Sequence, residues 1–148
     1  MNFLVTESLE PTALLDAFAR RAAGAGAIVS FTGVVRGDAG VSELWLDHHP
    51  RMTEQALAQI DKDVRLRFEL EAVEMQHRVG FVATGEPIVF VVAAARHRRA
   101  AFDAVDYIMD RLKTDALFWK RELRESGGLW IEARESDHRD RARWEVKR

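Results

Sequence analysis

Ile88 to Ala95 is an unbroken run of eight apolar residues, Ile-Val-Phe-Val-Val-Ala-Ala-Ala, bounded by the turn signal Thr84-Gly85-Glu86-Pro87 and the cationic cluster Arg96-His97-Arg98-Arg99. It is far too short to span a bilayer, which takes about 20 residues, and its length suits a strand. A strand with no polar face belongs in the middle of a sheet, covered on both sides. The preceding segment has a different period: Val73, Met75, His77 and Val79 alternate with Glu74, Gln76 and Arg78, as in a half-buried strand.

The rest of the chain supplies the cover. Pro11 can open a helix whose inner face is Leu14, Leu15, Phe18 and Ala22, ending before Gly24 and Gly26. Ala27 to Phe31, continued by Thr32 to Arg36, reads as a strand running to the loop Gly37-Asp38-Ala39-Gly40, with Arg36 at its end. Val41 to His49 reads as that strand's partner. Pro50 then breaks the pattern, and Met52, Ala56, Ile60, Val64 and Phe68 mark the inner face of a long helix. Phe102, Val105, Met109 and Leu112 recur at helical spacing to about Lys113. Phe118–Arg124 and Leu129–Arg134 suggest a hairpin around Ser126-Gly127-Gly128, with Arg134 closing it. Trp45, Trp119 and Trp130 are read as core or interface. The order fits a single mixed α+β domain over residues 1–148, with a charged tail from about 136 to 148, loosely ordered except where Trp144 docks.

With 148 residues, 47% of them hydrophobic, the chain can close one core. The N-terminus has no basic start before an apolar run, so a cytoplasmic protein without a membrane span is expected. A net charge of −2 argues against non-specific nucleic-acid binding. The absence of cysteine excludes disulfides, thiolate metal sites, a cysteine nucleophile and a persulfide on this chain, so any sulfur chemistry would need sulfur from elsewhere. There is no Walker loop, GxGxxG, HExxH or GxSxG; His48 and His49 are adjacent, point to opposite faces of a strand, and make a poor metal pair. No metal site is expected.

A set of cations stands at element ends: Arg36, His97, Arg98, Lys113, Lys120, Arg121 and Arg134. Arginines can grip phosphate or carboxylate with two bonds, and a lysine crowded by cations loses its proton more easily and can transfer it. Taken singly, each of these residues is more ordinarily a solvated charge in a weak surface pair. Together they suit a substrate carrying several negative charges.

Ser30-Phe31-Thr32-Gly33-Val34-Val35-Arg36, Ala95-Arg96-His97-Arg98, Tyr107 to Thr114, Phe118-Trp119-Lys120-Arg121-Glu122 and Trp130 to Ser136 occur in that order. The series resembles the catalytic (large) subunit family of molybdopterin synthase, over about Gly26 to Asp137, most specifically in the spacing from Lys113-Thr114 to Phe118–Glu122. The resemblance implies an α/β hammerhead-type fold with a mixed or antiparallel sheet and flanking helices. It also implies a sulfurtransferase of molybdenum cofactor biosynthesis that converts cyclic pyranopterin monophosphate to molybdopterin. Two sulfurs would arrive as the C-terminal Gly-Gly thiocarboxylate of a small ubiquitin-like carrier subunit, a separate polypeptide, with no metal or nucleotide cofactor. A homodimer of large subunits carrying two small ones, a heterotetramer, is implied too.

By motif position, Lys113 and Lys120 would be catalytic, Lys113 near the incoming tail and Lys120 on the pterin side. Phe31, Arg36, His97, Arg98, Met109, Arg121, Glu122 and Arg134 would bind substrate, with His97 and Arg98 reaching a pocket across the dimer interface. Val34 stands where the family can carry lysine, and His49 where tyrosine is familiar; neither touches the lysine pair. The rival readings are a small RNA-binding α+β module, weakened by the acidic net charge, and a scaffold without catalysis, weakened by the retention of both lysines.

Overall fold

The structure is a computed structural model that describes residues 3–37, 41–116, 118–124, 127–131 and 133–145; the side chains of 41, 119, 123, 124 and 127–131 lie outside that description. The expected loop at 38–40, the turn residue Ser126, the rings of Trp119 and Trp130 and the last three tail residues therefore fall outside it. The described elements are β1 (Leu4–Val5), α1 (Pro11–Arg21), β2 (Ala27–Val34), β3 (Val41–His48), α2 (Pro50–Arg67), β4 (Ala72–Arg78), β5 (Gly80–Ala83), β6 (Pro87–Ala95), α3 (Arg98–Thr114), β7 (Phe118–Arg124), β8 (Gly127–Ile131) and α4 (Glu135–Ala142), followed by a 3-10 turn at Arg143–Glu145.

The strands form two four-stranded sheets, ordered β1-β4-β6-β2 and β5-β3-β7-β8. Only the β1–β4 pairing is parallel among the described ladders. The apolar run is β6, central in the first sheet, and both its faces are covered. Val89, Val91 and Ala93 pack with Leu57, Ile60 and Val64 of α2 and Ala104, Val105, Ile108 and Leu112 of α3. Phe90, Val92 and Ala94 turn the other way, onto Leu9, Phe18 of α1 and Ala22 just after it. Burying alternate residues on opposite faces against separate helices removes the need for a polar side. β4 keeps one, and its odd positions Val73, Met75 and His77 are buried, as is Val79 just after it.

Four expectations change. β3 does not pair with β2; β2 pairs antiparallel with β6, and β3 lies in the second sheet between β5 and β7. The buried stripe of α2 is Thr53, Leu57, Ile60 and Val64, whereas Met52 is 50% exposed: the polar look of Thr53 hides a buried position. β8 ends at Ile131 and Arg134 caps α4 instead of closing the hairpin. The charged tail is helical and docked through Trp144, whose ring meets Tyr107 and Phe68 edge-on at 5.4 and 6.0 Å, with the Arg67 guanidinium 5.5 Å away. Trp144 Nε1 donates to Asp110 at 2.6 Å, and Arg143 bridges Asp106 and Asp110.

Two glycines have local reasons. Gly80, the first residue of β5, holds φ at +86°, a value that costs side-chain-bearing residues energy. A Cβ on Gly26 would collide with the Arg96 carbonyl oxygen. Among the described residues no helix is long and apolar enough to cross a membrane.

Candidate active site

Antiparallel pairing sorts residues to the two ends of the first sheet. His77 of β4 lies opposite Val89 of β6, and Val34 of β2 opposite Pro87, so the C-terminal ends of β4 and β2 share one end with the start of β6. α3 begins at the far end, after Ala95, and runs back, so its last turn, carrying Lys113, returns to the His77 end. The second sheet attaches there too: its β3, β5 and β7 contribute Leu46, Val82 and Phe118 to a small cluster with Val35 and Ile88.

β7 is held on both sides, with Lys120 in register with Leu46 of β3 and Ile131 of β8. That ladder fixes the Lys120 backbone. Two residues earlier, on the same face, the Phe118 ring stacks on His77 at 4.1 Å with an interplanar angle of 23°. His77 is buried at 6% exposure, and its Nδ1 lies 2.7 Å from the Arg78 carbonyl oxygen. Since a carbonyl only accepts, Nδ1 carries the proton and Nε2 keeps its lone pair.

The electrostatics follow from burial and like charge. Burial, then the charge of Lys113, pushes the Lys120 amine down from 10.5 to about 8, with Asp137 of α4 opposing. His77 is pushed down to about 3 by burial first, then by Lys120 and, more weakly, Lys113, against the Arg78 hydrogen bond. Two lysines, a neutral imidazole and one carboxylate thus share a partly dry site. A lysine near pH 8 can both hold and release a proton under physiological conditions. Lys113 itself is exposed on the last turn of α3, where a cation also complements the helix dipole.

The other expected residues divide between two places. Met109 lies one turn before Lys113 on α3 and packs against the main core. Arg36 follows β2 at the lysine end, and Arg121 and Glu122 continue β7 beyond Lys120. Phe31 lies midway along β2, opposite Val91 and 40% exposed. Arg134 is the N-cap of α4, its backbone N–H donating to Asp137 Oδ2 at 2.9 Å. His97 and Arg98 stand at the opposite end: His97 is the N-cap of α3 without a side-chain capping bond, and Arg98 is its first residue. The sixteen helical steps from His97 to Lys113 at about 1.5 Å each span about 24 Å. Within one chain the two groups do not meet.

Reading the residues missed His77 and Asp137. His77 was visible as a buried position of β4, but its ring partner Phe118 lies 41 positions on in the chain, and Asp137 lay in the segment read as a tail. His48 ends β3 and His49 caps α2, its Nδ1 accepting from Met52 N–H at 3.3 Å. Among the described residues, no three His, Asp or Glu side chains converge to hold a metal ion.

The sequence model of the family described as MoaE protein matches residues 4–115. The protein of Yersinia pestis named molybdopterin synthase catalytic subunit is 50% identical over 122 residues, covering 80% of this chain and 81% of that one. Among solved structures, the molybdopterin biosynthesis MoaE protein from Burkholderia ambifaria superposes with a TM-score of 0.83 at 36% identity, covering 99% of this chain and 100% of that one. Molybdopterin synthase from Staphylococcus aureus gives a TM-score of 0.77 at 27% identity, with coverage of 88% and 96%.

Proposed function

The chain belongs to the MoaE protein family, and from that premise we propose that it is the catalytic subunit of a molybdopterin synthase, a cytoplasmic sulfurtransferase that turns cyclic pyranopterin monophosphate into molybdopterin. The observation that carries the reading is the convergence of Lys113 from α3 and Lys120 from β7 on one partly buried site. Both reactants are anions, a cyclic phosphate and a thiocarboxylate, and a cationic pair at the edge of a dry site binds and orients both.

In this reading Lys113, the exposed member, receives the C-terminal Gly-Gly thiocarboxylate of a small ubiquitin-like carrier subunit. Lys120, lying deeper, faces the pterin and moves protons or stabilises charge as each of the two sulfurs is transferred. The sulfur arrives already activated as a thiocarboxylate, so the step draws on no resident metal or nucleotide. Arg36, Arg121, Glu122 and Arg134 surround the lysines, with Met109 and Phe31 as apolar wall.

His97 and Arg98 serve the same chemistry from a second copy of the chain. Two features support a homodimer: the span of α3 between them and Lys113, and the apolar residues Ile28, Phe31 and Val34, 38%, 40% and 49% exposed on β2, which ends the first sheet. An edge strand bearing exposed apolar side chains invites pairing. With one carrier per large subunit the assembly is a heterotetramer.

The test is conversion of cyclic pyranopterin monophosphate by the purified chain with and without thiocarboxylated small subunit. Carrier-dependent product is expected, nearly abolished by Lys120→Ala with the dimer and carrier binding intact, and severely reduced by Lys113→Ala. Normal turnover in either variant overturns the assignment of the pair.

A further inference from the structure

α4 has no reason of its own to dock. Its eight residues include no buried side chain, and a helix that short is marginal in water without packing. What holds it is a set of contacts to α3 made by Arg141 and by Arg143 and Trp144 just beyond the helix. Trp144, 6% exposed, donates from Nε1 to Asp110 at 2.6 Å, and its carbonyl oxygen accepts from Arg67 at 2.8 Å. Arg143 reaches Asp106 and Asp110 at 2.6 and 2.8 Å, and Arg141 Nε reaches Asp115 at 3.3 Å.

These contacts fall on either side of Lys113, since Asp110 precedes it on α3 and Asp115 is the C-cap that follows it. At its other end the segment leaves β8, where Ile131 pairs with Lys120, and only residues 132 and 133 stand between that strand and the Arg134 N-cap. α3 and β7 are already joined through residues 115–117. A connection that short limits the separation of the elements it joins without setting the angle between them, because each residue brings two soft torsions. The path through β8, α4 and Trp144 returns to α3, closes a triangle and sets that angle.

We propose that Arg141 and Trp144 are positioning residues for the sulfur-transfer reaction: they brace α4 between β8 and the last turns of α3, and so hold Lys113 and Lys120 in their working arrangement. The inference rests on the function proposed above. Ion pairs as open to water as those of Arg143 add little stability, so their worth here is geometric.

Lengthening the brace separates this role from packing. Gly-Gly-Ser-Gly inserted between Ala142 and Arg143, combined with Arg141→Ala, leaves Trp144 able to keep its contacts and Arg134 its place after β8, while α4 no longer ties one to the other. A longer loop and a lost surface pair cost little, so Tm should stay within about 5 °C of wild type, with the Trp144 indole N–H resonance unmoved in NMR spectra. In the complex with thiocarboxylated small subunit, kcat should nevertheless fall at least about tenfold, with KM for the pterin changed less than about threefold. In the large subunit alone, amides 111–115 and the β7–β8 ladder around Lys120 should exchange hydrogen at least about tenfold faster, and Trp144→Ala should give the same acceleration. Arg141→Ala by itself, a surface change, should speed exchange about threefold or more at both places. Wild-type kcat in the lengthened chain with Trp144 docked makes the tryptophan a packing residue only and overturns the proposal. A raised KM with kcat intact overturns it too, because the segment would then act only through Arg134. So does Arg141→Ala exchange that is unchanged, or faster at 111–115 alone, whether or not the lengthened chain folds. A wild-type complex that makes no product with charged carrier bound defeats the function proposed above, whereas hydrogen exchange still decides the brace.

Discussion

Replacing Lys120 with methionine should make the protein more stable at neutral pH while removing its activity. The unfolded lysine titrates near 10.5 and the folded one near 8, since burial and Lys113 oppose its charge. Below about pH 8 the side chain is protonated in both states, and the folded state bears the full cost. Between 8 and 10.5 the unfolded chain binds a proton that the folded chain has released, so stability rises with pH; above 10.5 both are neutral and the cost is gone. At 1.36 kcal/mol per pH unit the upper bound is about 3 kcal/mol, and screening of the half-buried group by water brings the expected gain to about 1–2 kcal/mol. Methionine fills a similar volume without charge. Urea unfolding at pH 7 and pH 10, on both proteins, reads the difference directly. A gain at pH 7 that shrinks at pH 10 is the expected pattern. A variant less stable than wild type at pH 7, or a gain independent of pH, would refute a strained ammonium at this position.

Asp137→Asn removes the carboxylate that opposes the Lys120 shift, so the lysine midpoint should move further below 8, read by NMR, while the amide oxygen can still accept from the Arg134 N–H and keep stability near that of the wild type. Acid should destabilise the protein through His77, because the unfolded imidazole takes up a proton near pH 6.5 and the folded one only near 3. Stability should therefore fall as pH drops through that window, and His77→Gln should flatten this part of the curve in chemical denaturation. Trp144→Ala should cost about 3–5 kcal/mol, seen as a lower Tm, by emptying the contact with Phe68 and Tyr107. It should also release α4 and, with it, the Asp137 influence on Lys120.

Elements that bury a regular pattern were legible in the chain, and those fixed by distant partners were not. β6 announced itself because helices cover both its faces, and β4 because one face stays wet. The pairing of β3 was misread, since period-2 alternation says which face a strand buries and nothing about its neighbour; sequence proximity favoured β2, while the actual partners are β5 and β7. α4 has no apolar stripe and is held by one tryptophan and ion pairs, so it looked like a tail. For the site, motif order brought out both lysines, yet the cationic set looked like one group because position along a chain carries no distance. The structure divides it by the length of α3, Lys113 and Lys120 at one end and His97 and Arg98 at the other. A rigid helix of 17 residues cannot fold back to join its own ends. If both groups grip one substrate, the second group must come from another chain, and mixing Lys120→Ala subunits with His97→Ala subunits should restore activity that neither variant shows alone. Failure to complement in a verified mixed dimer would confine the site to one chain and remove His97 from it.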